Sequence, residues 1–145
     1  MSLILDIADA VAAELNAAPP DTFCQAFTAR RRVLPEFDLE ALSELQVTVV
    51  PKGVEITGAT RTASQREIAV DIGLQKKLGA DLESEVAELL ELTERIAAYL
   101  SRRRLAAAPQ AAWVAVANEP VYSPEHLAEQ RAFTSVLTVT YRALG

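Results

Sequence analysis

Residues 66–103 read REIAVDIGLQKKLGADLESEVAELLELTERIAAYLSRR, and the apolar period changes inside this stretch from two to nearly four. In Arg66–Lys76, Ile68, Val70, Ile72 and Leu74 alternate with Glu67, Ala69, Asp71, Gly73 and Gln75. That alternation predicts a strand with one apolar and one polar face, as in an antiparallel sheet covered on one side. From Asp81 to Arg103 the apolar residues Leu82, Val86, Leu89, Thr93, Ile96 and Leu100 recur every three or four positions, and Leu90 and Ala97 widen the stripe. A stripe this broad predicts a helix lying on a sheet rather than the narrow seam of a coiled coil. Asp81 is placed to cap this helix. Glu83 and Glu85 suit its positive end, Arg102–Arg104 its negative end, and Glu91 and Arg95 form an i,i+4 pair.

Working outward, residues 3–17 predict a first helix. Ile4, Ile7, Ala8, Val11 and Leu15 share a face, Ser2 is the N-cap, and Pro19-Pro20 ends the helix. Phe23, Gln25, Phe27, Ala29, Arg31 and Val33 alternate and predict a strand near 25–34, followed by one helical turn at 38–42 capped by Asp38. Gln46–Val50 and Val54–Thr57 read as a hairpin joined by a Val50-Pro51-Lys52-Gly53 turn, because Pro presets φ and Gly closes the turn easily. Residues 58–65 are small and polar and predict a loop. Ala112–Asn118 predicts a strand, Ser123-Pro124 the start of a short helix, and Arg131–Arg142 a long final strand with Phe133, Ser135, Leu137, Val139 and Tyr141 on one side. The expected fold is one α+β domain over 1–145. It is a mostly antiparallel single sheet with one long helix at about 81–103 and an N-terminal helix packed on one face. Unbroken strands at 66–76 and 131–142 would reach roughly 35–40 Å, beyond a core of about 15 Å radius of gyration. Strands that long bend or project as a ribbon, and a projecting edge offers backbone groups to a neighbouring copy.

The whole-chain arithmetic narrows the function classes. The chain has 145 residues, 50% hydrophobic and 23% charged, which supports a packed core and excludes a disordered tail. It carries 14 basic and 20 acidic residues, for a net charge of −6. The only basic clusters are Arg30–Arg32 and Arg102–Arg104, neither interleaved with stacking aromatics, so no sequence-independent nucleic-acid binder is expected. No basic n-region precedes the first apolar residues, Asp6 and Asp9 interrupt that run, and no stretch approaches a membrane span. A cytoplasmic protein is expected.

Few residues carry reaction chemistry. Cys24 and His126 are single, which rules out an internal disulfide, multi-cysteine zinc sites and histidine relays. Gly53–Gly58 has the spacing of a phosphate loop without its lysine and lies between strands. Glu83, Glu85, Glu88, Glu91 and Glu94 read as the solvated side of a helix. No catalytic, cofactor or metal residues are assigned, and no enzyme activity is expected. The competing reading, a small-ligand site or an enzyme using His126 and nearby acids, requires a pocket with convergent polar groups.

Three stretches carry a resemblance: Val47–Gly53 (VTVVPKG), Asp71–Lys77 (DIGLQKK), and Asn118–Tyr122 (NEPVY) leading into Phe133–Tyr141 (FTSVLTVTY). Together they resemble small proteins encoded in the morphogenesis regions of tailed phages and prophages. The order of elements resembles tail-terminator and neck proteins; Pro19–Leu45 lies outside the resemblance. The resemblance implies a non-enzymatic virion protein that forms a ring, a hexamer being one size, and acts at the head–tail junction. It would cap the tail tube, stop polymerisation and meet head-connector proteins, with DNA only as passing cargo. A head-completion or adaptor protein of the same neck is the alternative. The implied locations are the host cytoplasm during assembly and then the virion neck. A head-to-tail contact that closes by rotation makes a ring. The expected contact surfaces are Arg30, Arg31 and Arg32, the Pro51-Lys52-Gly53 turn, Arg61 in the polar loop, and the strand at 131–142. Successive arginines in a strand face opposite ways, so Arg30–Arg32 cannot form one flat patch but can reach acids on another subunit.

Overall fold

The computed structural model describes residues 2–34, 41–58 and 64–144. Its elements are α1 (Leu3–Asn16), β1 (Ala29–Arg31), a 3₁₀ turn (Ala41–Ser43), β2 (Gln46–Gly58), β3 (Ser64–Lys77), α2 (Leu82–Leu100), β4 (Ala112–Asn118), α3 (Pro124–Gln130) and β5 (Ala132–Leu144). The five strands form one mixed sheet in the order β1-β2-β3-β5-β4. β1 pairs parallel to β2, and every other pairing is antiparallel. The fold is α+β, as the two hydrophobic periods require.

Alternation places the core. Ile68, Val70, Ile72 and Leu74 on β3 lie opposite Tyr141, Val139, Leu137 and Ser135 on β5, and all eight are buried. Val47 and Val49 extend this face across β2. Over it lie Ile7, Ala8, Val11 and Leu15 of α1, and Leu89, Leu92, Ile96 and Leu100 of α2, in one apolar cluster. Each fully buried Leu or Ile contributes about 1.5–3 kcal/mol of transfer free energy. The helices meet through Tyr99, whose ring packs edge-on to Phe23 at 5.4 Å, while its hydroxyl donates to the Glu14 carbonyl at 3.5 Å.

The caps behave as their side chains predict. Ser2 accepts from the Leu5 amide, Asp81 from Ser84, and Ser123 from His126. The Glu91–Arg95 pair closes at 3.0 Å.

Several expectations need correction. α2 is shorter than the anticipated 81–103 and is one of three helices. Ser101 adopts extended backbone (ψ 125°), its hydroxyl takes the Ala97 carbonyl at 2.7 Å, and Arg102 is left-handed at φ 60°. The Ser101 amide still completes the ladder to the same Ala97 carbonyl at 3.1 Å, so the hydroxyl adds a second bond there and the helix ends where the Ser101 backbone turns extended. Arg102–Arg104 leave the helix, but Arg103 folds back and its Nε donates to the Tyr99 carbonyl of the last turn at 2.9 Å.

The strand expected near 25–34 shrinks to Ala29–Arg31. Asp38 and the tip of the β2–β3 hairpin fall outside the described residues, and the described end of the turn expected at 38–42 lies in the 3₁₀ turn Ala41–Ser43. Pro51-Lys52-Gly53 is no turn: β2 runs through it, and a bulge shifts the register between Pro51 and Gly53. Proline lacks a ladder donor and is tolerated on an edge strand at a bulge, and no strand of the described residues flanks β2 at that point. The long strands do not project as a ribbon either. β3 pairs with β5 from Gln65 to Lys77 and with β2 from Ser64 to Gln75, so their length lies inside the sheet.

Candidate assembly surface

The two outer edges of the sheet differ in how they are closed. β1 covers β2 only at Val47–Val49, with one further bond from the Arg32 amide to the Val49 carbonyl at 2.9 Å. The outward edge of β1 is itself occupied. The Asn16 side chain, at the end of α1, accepts from the Ala29 amide at 2.8 Å and donates to the Ala29 carbonyl at 2.9 Å. One side-chain amide thus stands where a peptide group of a further strand would stand.

Beyond Val49 the edge is open. Among the described residues, no strand flanks β2 from Val50 to Gly58, and residues 52–58 are exposed. Val54 and Ile56 on this segment are 46% and 62% exposed, and Val33 and Leu34, just after β1, are also exposed. On the far side, β4 pairs with β5 from Ala112↔Arg142 to Asn118↔Leu137 and, among the described residues, carries no strand on its outer side. Registers across the sheet put Ala112 level with Glu55 and Asn118 level with Val49. The open part of β2 and the open side of β4 therefore lie at the same height, and the pairing pattern makes them run in opposite directions.

The sheet face away from the helices is polar and internally paired in this half. The Thr138 hydroxyl donates to Asp71 at 2.6 Å, Lys52 reaches Thr138 at 3.3 Å and Asp71 at 3.8 Å, and Arg142 pairs with Glu67 at 2.7 Å. Such half-exposed pairs contribute at most about 1 kcal/mol each and mainly keep the face hydrated.

The expected contact residues are dispersed. Arg31 turns toward α1 and pairs with Asp9 of its own chain at 2.8 Å. Arg30 lines a shallow depression of about 740 Å³ with Gln25, Glu44 and Lys76. Arg32 is exposed beside the open edge. Pro51, Lys52 and Gly53 sit on that edge at the bulge, while Arg61 lies outside the described residues. Glu83, Glu88, Glu91 and Glu94 are exposed on α2, and Glu85 accepts from the Gly79 amide at 2.9 Å. Cys24 is exposed rather than packed. His126 meets the Thr134 hydroxyl at 2.9 Å through Nδ1. Among the described residues, no group of three His, Cys, Asp or Glu is gathered to hold a metal ion, and no helix is long and apolar enough to cross a membrane.

Two features had no sequence signal. Nothing in the pattern separates Asn16 from any polar residue at a helix end. Tyr141 is read correctly as inward-facing, but its hydroxyl is buried without a partner. Burial, and secondarily the charge of Glu14, pushes that hydroxyl well above the ordinary tyrosine range. No protein family and no curated protein matches the chain by sequence.

Proposed function

We propose that this chain is a non-enzymatic virion protein that closes into a ring at the head–tail junction of a tailed phage, caps the tail tube and ends its polymerisation. The role comes from the resemblance of its strands to terminator and neck proteins. The observation that carries self-assembly is the pair of open sheet edges, β2 beyond Val49 and β4, at one height and in opposite directions. A second copy rotated about an axis along the strands brings its β4 antiparallel to β2 of the first, which continues the alternation of the sheet. Two different surfaces meet in that contact, so it is heterologous and closes by rotation. Unpaired amides and carbonyls supply affinity, and exposed Val54 and Ile56 supply apolar area.

Light scattering on the purified protein, with negative-stain microscopy, tests the ring. Closed rings of one size are expected, and tail tubes assembled in their presence should stop at a defined length. Virions lacking the protein should carry overlong tails. A chain that remains monomeric at about 1 mM and leaves tubes unchanged refutes this function, and normal-length tails detached from full heads would move it to the adaptor role.

A further inference from the structure

In the sheet contact proposed above, two strands compete for one place. β1 runs parallel to β2 and flanks it up to Arg31↔Val49. A neighbour's β4 runs the other way along the same edge of β2, and its last residue, Asn118, is level with Val49. The C-terminal ends of β1 and of the neighbour's β4 therefore point at each other. They clear one another when the neighbour slides up the open edge, and β2 leaves room by continuing past Glu55 to Gly58. Closing a sheet on itself tilts and staggers its strands in this way. The residues that follow each strand then meet.

The two segments are built alike. After β1, the Arg32 amide donates to the Val49 carbonyl at 2.9 Å, and Arg32, Val33 and Leu34 are exposed. After β4, the Glu119 amide donates to the Val136 carbonyl at 3.0 Å, and the Ser123 amide donates to the Thr134 carbonyl at 2.9 Å. β5 thus holds this backbone while Glu119, Val121 and Tyr122 are exposed. Apart from Leu144, the large apolar side chains exposed among the described residues are Val33, Leu34, Val121 and Tyr122 on these segments, and Val54 and Ile56 on the open edge. A patch of that kind on a soluble chain marks an interaction surface. In both segments the charge comes first, beside the strand end, and the apolar pair follows. The charges are opposite, and neither Arg32 nor Glu119 has a side-chain partner among the described residues.

We infer that Arg32–Leu34 receives Glu119–Tyr122 of a neighbouring copy, with Arg32 paired to Glu119 and with Val33 and Leu34 packed on Val121 and Tyr122. The segments lie on opposite edges of the sheet, so the contact is heterologous and repeats around a ring. It also fixes how far the neighbour slides. Backbone bonds repeat along a strand and are alike at successive positions, whereas opposite charges and an apolar contact at the strand ends select one register. The inference rests on the ring reading, and the following experiment separates their failures.

Within one chain the segments lie on opposite edges of five strands, about 19 Å apart at the usual strand spacing. A disulfide needs Cα atoms within about 7 Å, so a bond between them can form only between copies. Cys24 is exposed, so the test uses a C24S background. Oxidised L34C/V121C should give a covalent ladder that ends at the ring mass, and each single-cysteine variant nothing beyond a dimer. By light scattering, R32E and E119R should each need about tenfold more protein to assemble. R32E/E119R, in which the pair is reversed, should assemble like wild type. If wild type assembles but L34C/V121C gives no ladder, or R32E/E119R assembles no better than either single variant, the docking falls and the ring stands. If wild type never assembles, both fall.

Discussion

Replacing Asn16 by alanine tests how the sheet is closed on the β1 side. The Asn16 amide makes two bonds of 2.8 and 2.9 Å to one residue, Ala29, which is 4% exposed. Alanine removes both and leaves the Ala29 amide and carbonyl without protein partners, and because Asn16 is exposed, water reaches only part of the vacated site around the buried Ala29. Two net hydrogen bonds of about 1 kcal/mol each, plus part of the desolvation of the abandoned groups, give a loss of about 2–3 kcal/mol. With a urea m-value of about 2 kcal/mol/M, the midpoint falls by about 1–1.5 M, and at about 2–4 °C per kcal/mol the melting temperature drops by about 5–10 °C. Urea titration followed by Trp113 emission and by far-ultraviolet circular dichroism reads both the midpoint and the m-value. Asn16→Asp tests the donor half: its carboxylate still accepts from the Ala29 amide, but it sets an acceptor against the Ala29 carbonyl and adds negative charge at the C-terminal end of α1, so its loss should equal or exceed that of alanine. A midpoint shift under about 0.3 M for Asn16→Ala, or an Asp variant as stable as wild type, would refute the bracket as the closure of that edge.

Tyr141→Phe removes a buried hydroxyl that has no partner and should leave stability unchanged or raise it by about 1 kcal/mol; a loss above about 1 kcal/mol would mean the hydroxyl is bonded. The folded chain holds the Tyr141 proton to higher pH than the unfolded chain, whose tyrosines titrate near 10.0. This contribution is therefore complete below pH 10 and is lost as the pH rises above it, so denaturation titrations between about pH 9 and 11 should fall more steeply for wild type than for Tyr141→Phe. Val54→Lys/Ile56→Lys places charge on the open edge. Thermal stability should change by under about 1 kcal/mol while light scattering reports monomers; intact rings would move the contact elsewhere. Asp81→Ala removes the α2 cap and should cost about 1 kcal/mol in urea, with no change in assembled mass.

The element types were legible because the two hydrophobic periods are clean. Ile68 to Leu74 and Phe133 to Tyr141 alternate without a break, Leu82 to Leu100 keeps its stripe, and each of these sets faces the core or its margin. Caps at Ser2, Asp81 and Ser123 were legible for the same reason: the interaction is local, between residues three apart. Pro51-Lys52-Gly53 misled because turn chemistry and bulge chemistry use the same residues. Which one forms depends on whether β3 continues opposite, and it does, as far as Ser64↔Gly58. The end of α2 misled in length only: the backbone turns extended at Ser101 instead of continuing to Arg103, while Arg103 still serves the helix end by donating to the Tyr99 carbonyl.

Periodicity along the chain was thus enough to specify an α+β protein, the strands β3, β4 and β5, its principal helices and the side of the long elements that avoids water. It could not specify neighbours. The parallel placement of β1, the order β1-β2-β3-β5-β4, the Asn16 bracket and the level match of the two open edges all join residues distant in sequence. Burial constrains each segment separately and so leaves its mark on local pattern. Pairing is a property of two segments at once, and it is settled only when the folded chain makes particular edges and side chains compete for the same partners.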